Sequence, residues 1–115
     1  MLPDRCTISL AAIEDNSYKR SKLSFWDDVG YNINMTCVRQ SVLQEPIVDV
    51  FNKNLVNTSV CKILDINLYT CTKQDLDFSN SYELTFFRRD TLNGVAAWFD
   101  CYFEKLPNKV NFSTG

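Results

Sequence analysis

Residues 16–46 carry apolar side chains at helical spacing, and the segments on either side of them alternate with a period of two. Such a chain folds as a sheet interrupted by a helical hairpin, and the hairpin needs something to cover its aromatic stripe. In the first helix Tyr18, Lys22, Phe25, Trp26 and Val29 recur at i, i+4, i+7, i+8 and i+11. Asn16 or Ser17 is placed to cap it and Gly30 to close it. Asn34 is placed to cap the second helix, where Met35, Val38 and Val42 share a face until Pro46 forces the end. Gly30-Tyr31-Asn32-Ile33 joins the two. Phe25, Trp26, Tyr31, Ile33 and Met35 crowd at the junction. The plain reading of that crowd is a small core between the helices, and the sharper one is an arm that grips a partner.

Before the hairpin, Cys6 to Ile13 alternates and then runs apolar, as an inner strand does. After Pro46, Ile47 to Phe51 reads as a short strand and Asn52 to Ser59 as a polar turn region with Leu55 and Val56 tucked in. From Val60 to Thr70 the even positions Val60, Leu64, Ile66 and Leu68 face inward, which leaves Lys62 snorkelling on an apolar face. Thr72 to Leu76 is a single helical turn. Tyr82 to Phe86 alternates again, and Val95, Ala97, Phe99, Cys101 and Phe103 line one face of the clearest strand. Asn93-Gly94 between these strands is a favoured type I′ pair, although Arg89-Asp90-Thr91 could also turn. Val110 to Thr114 begins another extended segment and the chain stops without closing the sheet. Both ends look cut from a longer chain.

Composition narrows the function. The chain has 115 residues, one domain's length, with 45% hydrophobic and 23% charged residues. It has no histidine and three glycines, with no phosphate-cradling or metal-ligand spacing, so no catalytic residue, cofactor site or metal site is assigned. A net charge of −2 with scattered basic residues argues against nucleic acid as a partner. Nothing spans a bilayer, no signal-type segment follows Met1, and Cys6, Cys37, Cys61, Cys71 and Cys101 form no CxxC pair. The expected setting is soluble and intracellular, in the nucleus or cytoplasm, with reduced and mostly buried thiols. Asn34-Met35-Thr36, Asn57-Thr58-Ser59 and Asn111-Phe112-Ser113 fit the glycosylation acceptor pattern, a weak signal in a chain this rich in Asn, Ser and Thr. Arg88-Arg89 beside Asp90 reads as a solvated turn, and Glu14-Asp15 and Asp27-Asp28 as exposed acidic pairs that could also attract a cationic substrate.

In order along the chain, Leu2-Pro3-Asp4-Arg5, Ala12-Ile13-Glu14-Asp15, Phe25-Trp26, Met35-Thr36-Cys37, Glu45-Pro46, Val48-Asp49-Val50 and Phe112-Ser113-Thr114 resemble the middle of a protein arginine N-methyltransferase, closest to the predominant type I enzymes. The resemblance runs essentially end to end. It implies that residues 1–15 are the closing strand of the methyltransferase domain, 16–46 the dimerisation arm and 47–115 the first half of a β-barrel. The joint from Val29 to Met35 departs by about one extra residue, and Asn34 stands where the family commonly has aspartate. The family moves a methyl group from S-adenosylmethionine to arginine guanidinium groups of proteins, often in histones or glycine- and arginine-rich segments. Its glycine-rich cofactor loop and paired glutamates match no position here.

The expectation is therefore an α+β chain, mostly antiparallel β in a partial β-barrel, with an inserted helical-hairpin arm. It is the dimerisation and barrel part of an S-adenosylmethionine-dependent transferase, inactive alone and binding no cofactor itself. It self-associates through Phe25, Trp26, Tyr31, Ile33 and Met35. The alternative is a stand-alone intracellular β-rich interaction domain whose arm binds a different protein.

Overall fold

The computed structural model describes residues 1–27, 30 and 33–115. Strand β1 (Arg5–Ile13) leads into helix α1 (Asn16–Lys22), a 3-10 turn (Ser24–Asp27) and helix α2 (Thr36–Gln44). A second 3-10 turn (Lys53–Leu55) precedes strand β2 (Cys61–Asn67), a third (Lys73–Leu76) follows it, and strands β3 (Gly94–Phe103) and β4 (Val110–Ser113) complete the chain. The strands form one open antiparallel sheet in the order β2-β1-β3-β4. This is the mixed, mostly antiparallel class that the alternation and the helical hairpin indicate.

The inner position of β1 follows from its sequence. Cys6, Ile8, Leu10 and Ala12 point to one face and Thr7, Ser9 and Ala11 to the other. Leu10, Ala11 and Ala12 are buried, and so are Ala96 and Cys101 across from them on β3. Residues 1–15 are thus not set apart from the strands that follow. β1 is flanked by β2 and β3 and lies within their sheet.

Antiparallel partners share a face, so the register sorts the sheet into two surfaces. Cys6, Ile8 and Leu10 lie with Ile66, Leu64 and Cys61 of β2 and with Cys101, Phe99 and Ala97 of β3, and Phe112 and Val110 of β4 extend this apolar face. Thr7 and Ser9 lie with Asp65 and Lys62, and with Asp100 and Trp98. A β-bulge makes this sorting possible: Ile8 pairs with Leu64 but Ser9 pairs with Lys62, leaving Ile63 unpaired. One extra residue switches the parity of the strand. Lys62 therefore does not snorkel on the apolar face; it joins the polar one, where its ammonium reaches Asp65 at 3.1 Å. Val60, read as inward, is exposed for the same reason.

Other expectations shift where a partner is missing. Ile47 to Phe51 has strand-forming residues but, among the described residues, no strand to pair with, and it runs as exposed coil in which Val50 N–H turns back to the Asp49 carboxylate. Tyr82 to Phe86 forms no strand and meets the segment before β2 through the bridge Thr58↔Phe86, with Ser59 N–H donating to Thr85 O at 2.8 Å and Thr85 N–H to Ser59 Oγ at 3.0 Å. β3 is paired instead with β1 and β4. Gly94 accordingly opens β3 opposite Ile13 and lacks the positive φ that a type I′ turn requires; Gly30, at φ 77°, is the positive-φ glycine among the described residues. Of the cysteines only Cys101 is buried, Cys37 is exposed, and all five are free thiols. Asn57 is wholly buried and its amide donates to Thr91 O, so this acceptor triplet is structural.

The molecule is elongated. Its radius of gyration is 18.4 Å with extents of 63 × 33 × 26 Å, against about 13 Å for a compact domain of this length. Residues of the helical arm pack mainly on one another and strands on strands, so the arm projects from the sheet.

Candidate interaction surface

The arm is assembled from short-range signals. The Asp15 carboxylate, rather than Asn16 or Ser17, caps α1 by accepting from Tyr18 N–H at 2.8 Å. The α-helix stops at Lys22, short of the span to Val29, and the chain tightens into the 3-10 turn, where Trp26 N–H donates to Leu23 O three residues back. Apolar spacing over a single turn does not separate a period of 3.6 from one of 3.0. Asn34 Oδ1 accepts from the Thr36 N–H at 3.0 Å and from its hydroxyl at 2.6 Å, anchoring the start of α2. At the other end Glu45 is extended, as a residue before proline must be, and α2 ends at Gln44. Arg39 Nη1 donates to both carboxylate oxygens of Asp27 at 3.0 and 3.1 Å, tying α2 to the 3-10 turn.

This frame places the aromatic residues as follows. Phe25 and Trp26 meet edge to face, with ring centroids 5.2 Å apart at 82°. Trp26 is half-buried beside Tyr18 and Val42 at a hollow of about 500 Å³ between the helices. Phe25 and Ile33 point out, 52% and 60% exposed, and Met35 is half-buried at the entry to α2. Tyr31, Asp28 and Val29 lie outside the described residues. Trp26 turns toward the hollow between the helices, and Phe25 and Ile33 remain uncovered apolar surface. Leu43 and Ile47 add to that surface and escape sequence reasoning. Leu43 lies off the Met35–Val38–Val42 stripe, and Ile47 looks like a strand residue.

The root of the arm is polar and closed. Glu14 N–H donates to Leu55 O at 2.9 Å and Asn57 N–H to Ala12 O at 3.1 Å, so the chain leaves and re-enters the sheet at adjoining positions. Arg88 Nε donates to Asp90 at 2.5 Å, and Arg88 Nη2 reaches Glu14 at 3.9 Å. A hydrogen bond to Asp90 raises the Glu14 carboxyl above its ordinary range, and the hydrogen bond from Arg88 holds Asp90 below its own. The acidic pairs considered for a cationic substrate are therefore engaged internally at Glu14, Asp15 and Asp27.

A second uncovered surface is the apolar face of the sheet, where Phe99 and Phe112 touch edge to face with centroids 6.4 Å apart while remaining about half exposed. Between arm and sheet a groove of about 840 Å³ is lined by Tyr18, Leu23, Val42, Leu55, Val95 and Trp98 among others. Among the described residues no cluster of His, Cys, Asp or Glu is arranged to hold a metal ion, and no helix is long and apolar enough to cross a membrane. Projecting apolar side chains on a rigid polar root suit the binding of another protein surface.

Comparison with known proteins bears on what that surface is. The family model described as the arginine methyltransferase oligomerization subdomain matches residues 4–115. This chain belongs to the arginine methyltransferase family and is its oligomerization subdomain. Among curated relatives, it is 44% identical over 115 residues to protein arginine N-methyltransferase 1 of Schizosaccharomyces pombe, covering 100% of this chain and 34% of the relative. It is 42% identical over 117 residues to the enzyme of the same name from Saccharomyces cerevisiae, covering 100% of this chain and 33% of the relative. The chain thus spans about a third of the length of the curated relatives it matches. Among solved structures, its fold superimposes with a TM-score of 0.93 on a chain of the Trypanosoma brucei PRMT1 enzyme–prozyme heterotetrameric complex with AdoHcy, at 22% identity and covering 100% of this chain and 36% of that one. Against Arabidopsis thaliana protein arginine methyltransferase 10 the TM-score is 0.75 at 17% identity, covering 100% of this chain and 41% of that one.

Proposed function

We propose that this chain is the oligomerization part of a longer S-adenosylmethionine-dependent protein arginine N-methyltransferase, and that it holds two copies together through the arm of residues 16–46. The whole protein methylates arginine guanidinium groups of protein substrates such as histones or glycine- and arginine-rich segments, in the nucleus or cytoplasm. The observation that carries this reading is the exposure of Phe25 and Ile33 on an arm that projects from the sheet. Phe25, Trp26, Tyr31, Ile33 and Met35 are the assigned contact residues, because aromatic and large apolar anchors dominate protein interfaces. Residues 47–115, together with β1, are assigned to a β-barrel whose remaining strands cover the apolar face around Phe99 and Phe112.

The chain's own residues do not fit S-adenosylmethionine. Gly30, Gly94 and Gly115 are isolated along the sequence, so no glycine loop brings successive backbone N–H groups to a ligand. The cofactor and the methyl transfer belong to the rest of the longer protein, and this part alone is inactive. It contributes architecture, with neither nucleic acid nor membrane as a partner.

Sedimentation equilibrium at tens of micromolar tests the arm. The chain is expected to self-associate, and Phe25→Asp with Ile33→Asp is expected to give a monomer with an unchanged circular-dichroism spectrum. A wild-type monomer across that range removes the reading. Methyl transfer from labelled S-adenosylmethionine, assayed in the longer protein with this chain as control, tests the enzymatic part separately.

A further inference from the structure

Cys6 on β1 and Cys101 on β3 are direct cross-strand partners, and their sulfurs lie 3.4 Å apart. Thr114 N–H donates to Phe99 O, so Phe99 turns its backbone groups toward β4. Both backbone groups of a strand residue point to the same side and alternate along the chain, so Cys101 also faces β4. Cys6 and Cys101 therefore meet at a non-hydrogen-bonded position of the β1–β3 ladder, where Cα atoms approach to about 4.5 Å. That separation lies within the range of about 4.4–6.8 Å that a disulfide spans. Cys37 is on exposed α2 and Cys61 pairs with Leu10, so neither has such a partner.

We propose that Cys6 and Cys101 form a cross-strand dithiol, a modification site that a small-molecule disulfide oxidises to a protein disulfide, stapling β1 to β3. The thiolate of Cys6, the more exposed of the two, attacks one sulfur of the oxidant and releases the first small thiol. Cys101 then attacks the Cys6 sulfur of the mixed disulfide and releases the second. Two protein thiols lose two hydrogens and form one S–S bond; the oxidant's S–S bond breaks and it leaves as two thiols. The staple joins the strand that carries the arm to its inner neighbour. The staple lies at the opposite end of β1 from Glu14 and the arm's root.

Burial, with the neighbouring thiol of Cys101 and the longer-range effect of Cys71, pushes the Cys6 thiol up to about 11. Thiolate is scarce at neutral pH, so closure is slow there and quickens about tenfold per pH unit as alkali is approached.

The test uses the full chain, with any residues naturally translated on either side of it, carrying Cys37→Ser, Cys61→Ser and Cys71→Ser. It is incubated with oxidised glutathione, quenched with N-ethylmaleimide and read by intact mass and peptide mapping. The expected result is a loss of two hydrogens with no retained glutathione, a linked Cys6–Cys101 peptide, the pH dependence above, and a raised thermal midpoint that dithiothreitol returns. Cys101→Ser is expected to leave glutathione on Cys6. Alkylation of both thiols, or glutathione retained on Cys6 while Cys101 is present, overturns the proposal. Should the triple variant fail to fold, the same mapping on the five-cysteine chain decides: a Cys6–Cys101 link supports it, and a link from either residue to Cys71, or none, overturns it.

Discussion

Arg5 grips Asp65 with a two-pronged ion pair across β1 and β2, Nε to Oδ1 at 2.7 Å and Nη2 to Oδ2 at 2.6 Å. The same guanidinium reaches Glu104 at 3.3 Å and lies 5.3 Å from the centre of the Tyr102 ring. One side chain thus clamps β2 and the end of β3 onto the central strand.

The hydrogen bond from Arg5 holds the Asp65 carboxyl down at about 2. A depressed carboxylate stabilises the fold above its unfolded value of about 3.9, and that contribution fades as the pH falls through the folded value. Because the pair is more than a third exposed, its worth is discounted to about 1 kcal/mol or less. Urea unfolding of Asp65→Asn should show that deficit at neutral pH and a difference from wild type that shrinks between about pH 4 and pH 2. A deficit independent of pH would assign the loss to packing instead.

Thr58 is fully buried, and its hydroxyl oxygen accepts from Ala12 N–H at 2.9 Å while donating to Ser59 O at 3.1 Å. Thr58→Val keeps the shape and leaves a buried N–H without a partner, costing about 1–3 kcal/mol. Thr58→Ser restores the hydroxyl and should recover most of it. Equal losses in the two variants would mean that the methyl group, not the hydrogen bond, holds this site.

Asp15→Ala removes the cap of a helix of only seven residues. The expected cost is about 1 kcal/mol of local stability. Faster amide exchange should appear in 16–22 and spare β1, where the ladder to β3 is independent of the cap. Unchanged exchange in α1 would show that tertiary packing, not capping, holds the helix.

Lys62→Ala should shift stability by less than about 1 kcal/mol, since its ion pair with Asp65 is nearly half exposed. Cys61→Asp, which brings a carboxylate to the apolar face opposite buried Leu10, should cost more. The opposite order of the two variants would contradict the bulge at Ile63.

How far these features were legible depends on whether their cause is local. β1 and β3 alternate cleanly, and Thr72 with Asp75 forms the reciprocal cap that opens the turn read at that position, so these elements follow from neighbouring residues. The bulge does not. Nothing in Cys61-Lys62-Ile63-Leu64 announces an extra residue, because it is defined only against Ile8 and Ser9, far earlier in the chain. Ile47–Phe51 fails for the converse reason: strand propensity without a neighbouring strand leaves a coil. In the arm, Phe25 and Trp26 were legible as a pair, whereas Leu43 was not, because its exposure depends on what α2 fails to pack against. Leu2-Pro3-Asp4-Arg5 stood out as sequence before its use was visible: Asp4 is buried and accepts from Lys105 N–H at 2.9 Å, and Arg5 makes the clamp.

The backbone bonds Glu14 N–H to Leu55 O and Asn57 N–H to Ala12 O close the arm at its base. Whatever lies between residues 14 and 55 is an excursion whose length the rest of the molecule does not register. Doubling such a loop costs only about 0.6 kcal/mol in closure entropy. An insertion between residues 14 and 55 would therefore alter the arm's reach without sliding β2 along β1. The contact surface of the arm can thus change while the framework beneath it stays as it is.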